Sequence, residues 1–151
     1  MNKVPIGKWM AAIHKNIHSI MTEKLKPYDI NPGQLEYFIV ISKNEGINQK
    51  ELTEKMNVGK PSTTKAVKKL LDCGLIKRRP NINDSRHNKL YITNKGKDLV
   101  KTFTRIFWEI NDSVLKGITQ DEIKILKDIL IKMYKNTPSK KYNIMEEIDF
   151  L

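Results

Sequence analysis

The chain has 151 residues, a mass of 17.6 kDa, a sequence pI near 9.7 and a formal net charge of +11, enough for one compact domain or a small domain plus an oligomerisation element. No apolar run approaches the roughly 20 residues that a spanning helix needs, and the N-terminal MNKVPIGKW has charge but no apolar h-region or small-residue cleavage site. A soluble, cytoplasmic protein with no membrane partner is therefore expected. Cys73 is the only cysteine, which excludes an intrachain disulfide or a one-chain thiolate zinc cluster, and three scattered histidines give no reason to expect a metal or other cofactor.

From residue 6 to residue 25, Ile6, Met10, Ile13, Ile17, Ile20, Met21 and Leu25 recur at three and four, which predicts an amphipathic first helix. Pro27 and Asp29 interrupt it. Asn31, Pro32 and Gln34 supply an N-cap, a first-turn proline and a capping-box acceptor for a second helix through Leu35, Phe38, Ile39 and Ile41, ended at Gly46. Asn48 and Glu51 repeat the capping signal for a short third helix buried through Leu52 and Met56. Pro61 and Gly74 bracket a fourth helix over residues 60–73, and the preceding turn contains Gly59, as a tight helix-turn-helix connection often does.

Strands are expected at residues 75–79 and 89–93, joined by the polar turn 80–88 into a wing. Helix returns after Asn94 with Leu99, Val100, Phe103, Ile106, Phe107, Ile110, Val114 and Leu115 on a broad apolar face. Gly117 breaks it, and Thr119 with Glu122 caps a last helix carrying Ile123, Leu126, Ile129, Leu130, Met133 and Tyr134. A final helical turn or two is expected after Pro138. The fold class is thus mainly α with a small β-wing: a winged helix-turn-helix domain at 31–95, dimerisation helices at 1–30 and 96–136, and an extension at 137–151.

Charge is concentrated where the wing and fourth helix lie. Between residues 59 and 101, twelve Lys or Arg residues face three Asp, a local balance of +9 within the total of +11. Such a block calls for a polyanionic partner, because dispersed lysines would merely confer solubility. On a helical wheel Thr63, Ala66, Val67 and Leu70 share one side of the fourth helix and lock it to the core. Lys60, Pro61, Ser62, Thr64, Lys65, Lys68 and Lys69 form the set expected to meet duplex DNA, hydroxyls and lysines being able to donate to base edges and phosphates in the major groove. On the wing the expected set is Arg78, Asp84, Ser85, Arg86 and Lys89. Arg86 suits the negative potential of a narrow minor groove, whereas Asp84 suits orienting Arg78, since a carboxylate facing phosphates is repelled. The plain alternatives are a solvated lysine face and a turn in which Asp and Ser serve local hydrogen bonds.

These segments together resemble the MarR family of winged helix-turn-helix transcription regulators. The resemblance is carried by KPSTTK at 60–65, LLDCGLIKR at 70–78, DSR at 84–86, LYIT at 90–93 and Gly96, in order and at family spacing across residues 6–136. It implies a homodimer with interleaved terminal helices on a pseudo-palindromic operator, acting as a repressor. It also implies release by a small aromatic or anionic effector in a crevice between the dimerisation helices and the winged lobe. By position, His14, His18, Tyr37 and Phe107 are the candidates for lining that crevice. The chain departs from the family pattern at Pro61, where a small polar residue is usual, and at Lys68, near which an acid is usual. A dimer is independently sensible, because Ile6, Trp9, Leu115, Ile118, Ile123, Ile129 and Met133 are too much apolar surface for a lone winged domain to leave in water.

A second reading is a winged-helix module that meets an acidic protein. An enzyme is a third, and it has little support: there is no Gly-rich phosphate loop, nucleophile elbow or helical zinc pair. Asp84, Ser85 and His87 include hydrolase residue types, but three neighbours on one turn cannot orient one another as a triad must. No catalytic residue is expected.

Overall fold

The computed structural model describes residues 4–83 and 88–138, and the expected terminal helical turn falls outside them. Two compact units divide between Phe107 and Trp108. The first holds α1 (Ile6–Leu25), a 3-10 turn (Lys26–Tyr28), α2 (Pro32–Lys43), β1 (Ile47–Asn48), α3 (Gln49–Met56), α4 (Lys60–Asp72), β2 (Ile76–Arg79) and β3 (Lys89–Ile92). α5 (Asn94–Val114) begins in it, and α6 (Gln120–Asn136) belongs to the second.

Local chemistry sets the helix starts. Asn31 accepts from the Gln34 N–H at 2.9 Å while Gln34 Oε1 accepts from the Asn31 N–H at 2.9 Å, and Asn48 and Glu51 make the same reciprocal pair at 2.9 Å each. Each box satisfies two helix-end donors that have no intrahelical acceptor. α4 stops at Gly74, whose φ of 69° is open to glycine without strain.

The expected pair of strands is a three-stranded antiparallel sheet in the order β1-β3-β2. The strand missed by sequence reading, β1, is two residues long and pairs Ile47 with Leu90 and Asn48 with Lys89. It reads as the approach to α3 and exists only because β3 lies beside it. The helix-turn-helix connection contains Gly59 as expected, and one expectation beside it, a buried Met56, needs correction. Left-handed backbone falls at Asn57 (φ 50°), whose short polar side chain tolerates it, while Gly59 is extended and serves as the N-cap of α4. Met56, the last residue of α3, is only half-buried. Leu52 alone anchors α3 in the interior.

The core of this unit centres on Phe38, which is 1% exposed, with Leu25, Ile41, Leu52, Val67, Leu70, Leu75 and Leu90 buried around it. Phe103 meets Phe38 edge-on at 5.6 Å and Tyr28 edge-on at 5.2 Å, the arrangement that ring quadrupoles favour. α5 docks through Gly96, where a Cβ would stand 2.3 Å from the Leu75 carbonyl oxygen, so only glycine permits this approach of helix to strand.

Among the described residues, one buried side-chain group is unsatisfied. Thr63 is fully buried and its hydroxyl has no hydrogen-bond partner. Thr63→Val keeps the shape and removes the orphan, so chemical denaturation should show a gain of about 1 kcal/mol. A loss of stability would mean that the hydroxyl has a partner after all.

In the second unit, Thr119 and Glu122 form the expected capping box: Glu122 Oε2 accepts from the Thr119 N–H at 2.8 Å, and Thr119 Oγ1 accepts from the Glu122 N–H at 3.3 Å. The bonds from the Thr119 backbone and then from its side chain hold the Glu122 carboxyl below its ordinary value of 4.5. A depressed folded-state pKa adds stability that is present above the unfolded value and disappears as pH falls through the folded one. The protection factors of amides in the first turn of α6, with the intrinsic exchange rate at each pH divided out, should therefore fall as pH drops below 4.5, and Glu122→Gln, which caps without titrating, should remove that loss. An unchanged profile in the Gln variant would assign it to another group.

Candidate nucleic-acid interface

α4 is the element on which the cationic surface is built. Its inner side is closed by Thr63, Ala66, Val67 and Leu70, which are buried as the wheel requires. That orientation leaves Lys60, Pro61, Ser62, Thr64, Lys65 and Lys68 exposed. Among the described residues, no hydrogen bond or ion pair engages the ammonium groups of Lys60, Lys65 or Lys68. The N-cap Gly59 has no side chain with which to cap the helix, so the positive end of the α4 dipole opens next to these cations.

Lys69 departs from the expected outward fan. Its Nζ donates to Asp29 Oδ2 at 2.5 Å, tying α4 to the residue that follows the 3-10 turn. The bond to Asp29 raises the Lys69 pKa above 10.5, ahead of the opposing effect of burial and the smaller attractions of Cys73, Asp29 and Asp72. Position 69 lies at the edge of the buried stripe, within reach of the exposed carboxylate. Lys69 is thus a strut, with its charge already matched.

The ribbon adds further positive charge. Arg78 is exposed and its Nη2 lies 3.5 Å from Gln49 Oε1 at the start of α3. Arg79 sits 5.5 Å over the Tyr91 ring and is register partner to Lys89 across the β2-β3 pair. Two like charges directly opposite each other destabilise a ladder unless something negative lies across them. The expected contacts Asp84, Ser85 and Arg86, and with them the Asp84–Arg78 pairing, lie outside the described residues; the described partner of Arg78 is Gln49. Ile82, after β2, is fully exposed.

Sequence reasoning missed Gln49 and Arg79. Gln49 donates from Nε2 to Thr64 Oγ1 at 2.8 Å, so it links α3, α4 and β2, yet nothing in its own neighbourhood in the chain announces this. The Arg79 contact could have been anticipated from alternation along the ribbon, which sets Arg79 diagonal to Tyr91.

Comparison with known proteins gives this arrangement its relatives. The MarR family profile matches residues 30–87, the stretch from α2 to the wing. The HTH-type transcriptional regulator YybA of Bacillus subtilis, itself uncharacterised, is 30% identical over 124 residues, 82% of this chain and 83% of its own length. The chain belongs to the MarR family. Another relative, the HTH-type transcriptional regulator BilQ of Clostridioides difficile, is 30% identical over 114 residues, covering 76% of this chain and 77% of BilQ. Among solved structures, a SlyA-like transcription regulator from Listeria monocytogenes superposes with a TM-score of 0.73 at 29% identity, covering 90% of this chain and 89% of that one. A cysteine-to-serine mutant of Escherichia coli MarR, solved in complex with operator DNA, shares the fold at a TM-score of 0.72 and 24% identity, over 86% of this chain and 94% of its own.

As a MarR-type winged helix-turn-helix transcription regulator, the protein has its α3–α4 pair and β2 within the matched stretch, with β3 following directly after it. The residues assigned by position to an effector crevice differ in exposure. His14 and His18 are exposed on α1 with ring centroids 6.3 Å apart, Tyr37 is buried at 7% exposure, and Phe107 is half-buried. Among the described residues, no three His, Cys, Asp or Glu side chains gather as metal ligands, and no helix is long and apolar enough to cross a membrane.

Proposed function

We propose that this MarR-type regulator is a homodimeric, sequence-specific repressor that acts in the cytoplasm by occupying a pseudo-palindromic duplex operator. The observation that carries the reading is α4 itself: its apolar side is sealed in the core while Ser62, Thr64 and the free ammonium groups of Lys60, Lys65 and Lys68 face outward. A helix held in this way enters a major groove with hydroxyls toward base edges and lysines toward phosphates. Arg78, Lys89 and the segment carrying Asp84, Ser85 and Arg86 serve as the wing contacts.

Unpartnered apolar surface supports the dimer. On α1, Ile6, Trp9, Met10, Ile13 and Ile20 are 40% to 63% exposed; on α6, Ile125, Leu126, Ile129 and Leu130 are 40% to 59% exposed. Stripes of this kind on a water-soluble chain mark an interface. The terminal segments 1–30 and 96–136 accordingly act as dimerisation elements around the DNA-binding segment 31–95. Two-fold symmetry then sets the recognition helices roughly 34 to 36 Å apart, one turn of duplex. A small aromatic or anionic effector would release the operator by preferring the lobe spacing that cannot bind it.

A salt titration on duplexes selected from a random pool tests the reading. Affinity should fall steeply with salt, with log K changing by about −0.9 per phosphate contact for each unit of log salt concentration. A flat response would instead favour an acidic protein partner for the same helix.

A further inference from the structure

Gln49, at the start of α3, is hydrogen-bonded to both Thr64 of α4 and Arg78 of β2. Resting on the DNA-binding role proposed above, we infer that the Arg78–Gln49–Thr64 relay makes the Thr64 hydroxyl a pure acceptor, so that it selects adenine or cytosine on the contacted strand.

The inference follows from the direction of each proton. Arginine can only donate, so the Gln49 amide atom facing Arg78 at 3.5 Å is the oxygen. That fixes the opposite face of the amide, and Nε2 donates to Thr64 Oγ1 at 2.8 Å. A hydroxyl has one proton and two lone pairs. One lone pair of Thr64 is taken by Gln49, which pins the side chain in the rotamer whose proton reaches the Lys60 carbonyl at 3.0 Å, one helical turn back; without that anchor the side chain is free to rotate and offer its proton outward. What remains on this exposed side chain is a single lone pair. In the major groove the amino groups of adenine (N6) and cytosine (N4) can donate to it, whereas guanine O6 and N7 and thymine O4 cannot. Gln49 is therefore a positioning residue: it touches no base in this scheme but determines which bases Thr64 accepts.

The relay also explains why residues from three elements meet here. α3 begins at Gln49 because Asn48 caps it, and the Thr53 hydroxyl bonds the Gln49 carbonyl at 2.8 Å, so the backbone that carries the amide is held at both ends. The amide is thus presented to α4 from a fixed base, and β2 supplies the arginine that settles its orientation.

The experiment is selection from a random duplex pool with the full chain, followed by fluorescence anisotropy on the best duplex and its single-base variants. The parent should show one position per half-site at which adenine and cytosine outrank guanine and thymine by about fivefold, the value of one hydrogen bond. Gln49→Met, which keeps the length of the side chain but neither donates nor accepts, should level that position without changing the slope of affinity against salt. Thr64→Val should level it too. Gln49→Glu should retain the preference, because its carboxylate takes up the Thr64 proton and leaves the lone pairs outward. A Met variant that keeps the full preference, or a Val variant that does, overturns the inference while leaving DNA binding standing. If Gln49→Met does not fold by circular dichroism, Thr64→Val and Gln49→Glu still decide. A parent that binds no duplex overturns the proposed function and this inference together.

Discussion

Phe38→Ala should lower the stability of the first unit by about 3 to 5 kcal/mol, seen as a lower denaturation midpoint in urea with little change in slope. Phe38 is 1% exposed, so truncation both forfeits its burial and leaves a void among close-packed neighbours. Phe103 also loses its edge-on contact at 5.6 Å, a geometry worth about 0.5 to 1.5 kcal/mol beyond area. A double-mutant cycle with Phe103→Ala separates the two contributions. A loss below about 1 kcal/mol for the single variant would mean that the centre of this core lies elsewhere.

The second large effect concerns the cations of α4. Replacing Lys65 and Lys68 together by Ala should reduce the salt dependence of operator binding by about 0.9 per lysine in each protomer. The reason is that both ammonium groups are exposed and free among the described residues, so each can displace a condensed counterion. Lys69→Ala is the internal comparison. Its charge is already matched by Asp29, so its removal should leave the salt slope close to that of the parent. Equal slopes for parent and the Lys65 and Lys68 double variant, measured by anisotropy over a range of salt, would remove α4 from the phosphate-facing surface.

What the sequence made legible was local. Three reciprocal capping pairs, each spanning only four residues, located the starts of α2, α3 and α6, because the donor and acceptor sit on the same short segment. The buried side of α4 was equally legible, since period alone puts Thr63, Ala66, Val67 and Leu70 together. The remainder depends on contacts between distant parts of the chain. Lys69 meets Asp29 across 40 positions, Arg78 meets Gln49 across 29, and β1 is a strand only through its pairing with β3. Helical period puts Lys69 near the lysines that face outward, and it does not reveal that a carboxylate stands within reach.

The pairing of Arg79 with Lys89 across the ribbon has an effect on the unbound molecule. Among the described residues no carboxylate pairs with either cation, so the two push β2 and β3 apart, and dissolved ions weaken that push, the screening length at 0.1 M being about 10 Å. The same ions compete with the protein for phosphates. Raising ionic strength should therefore calm the hairpin in the free regulator while loosening its grip on an operator, so that one solvent variable drives the two states in opposite directions.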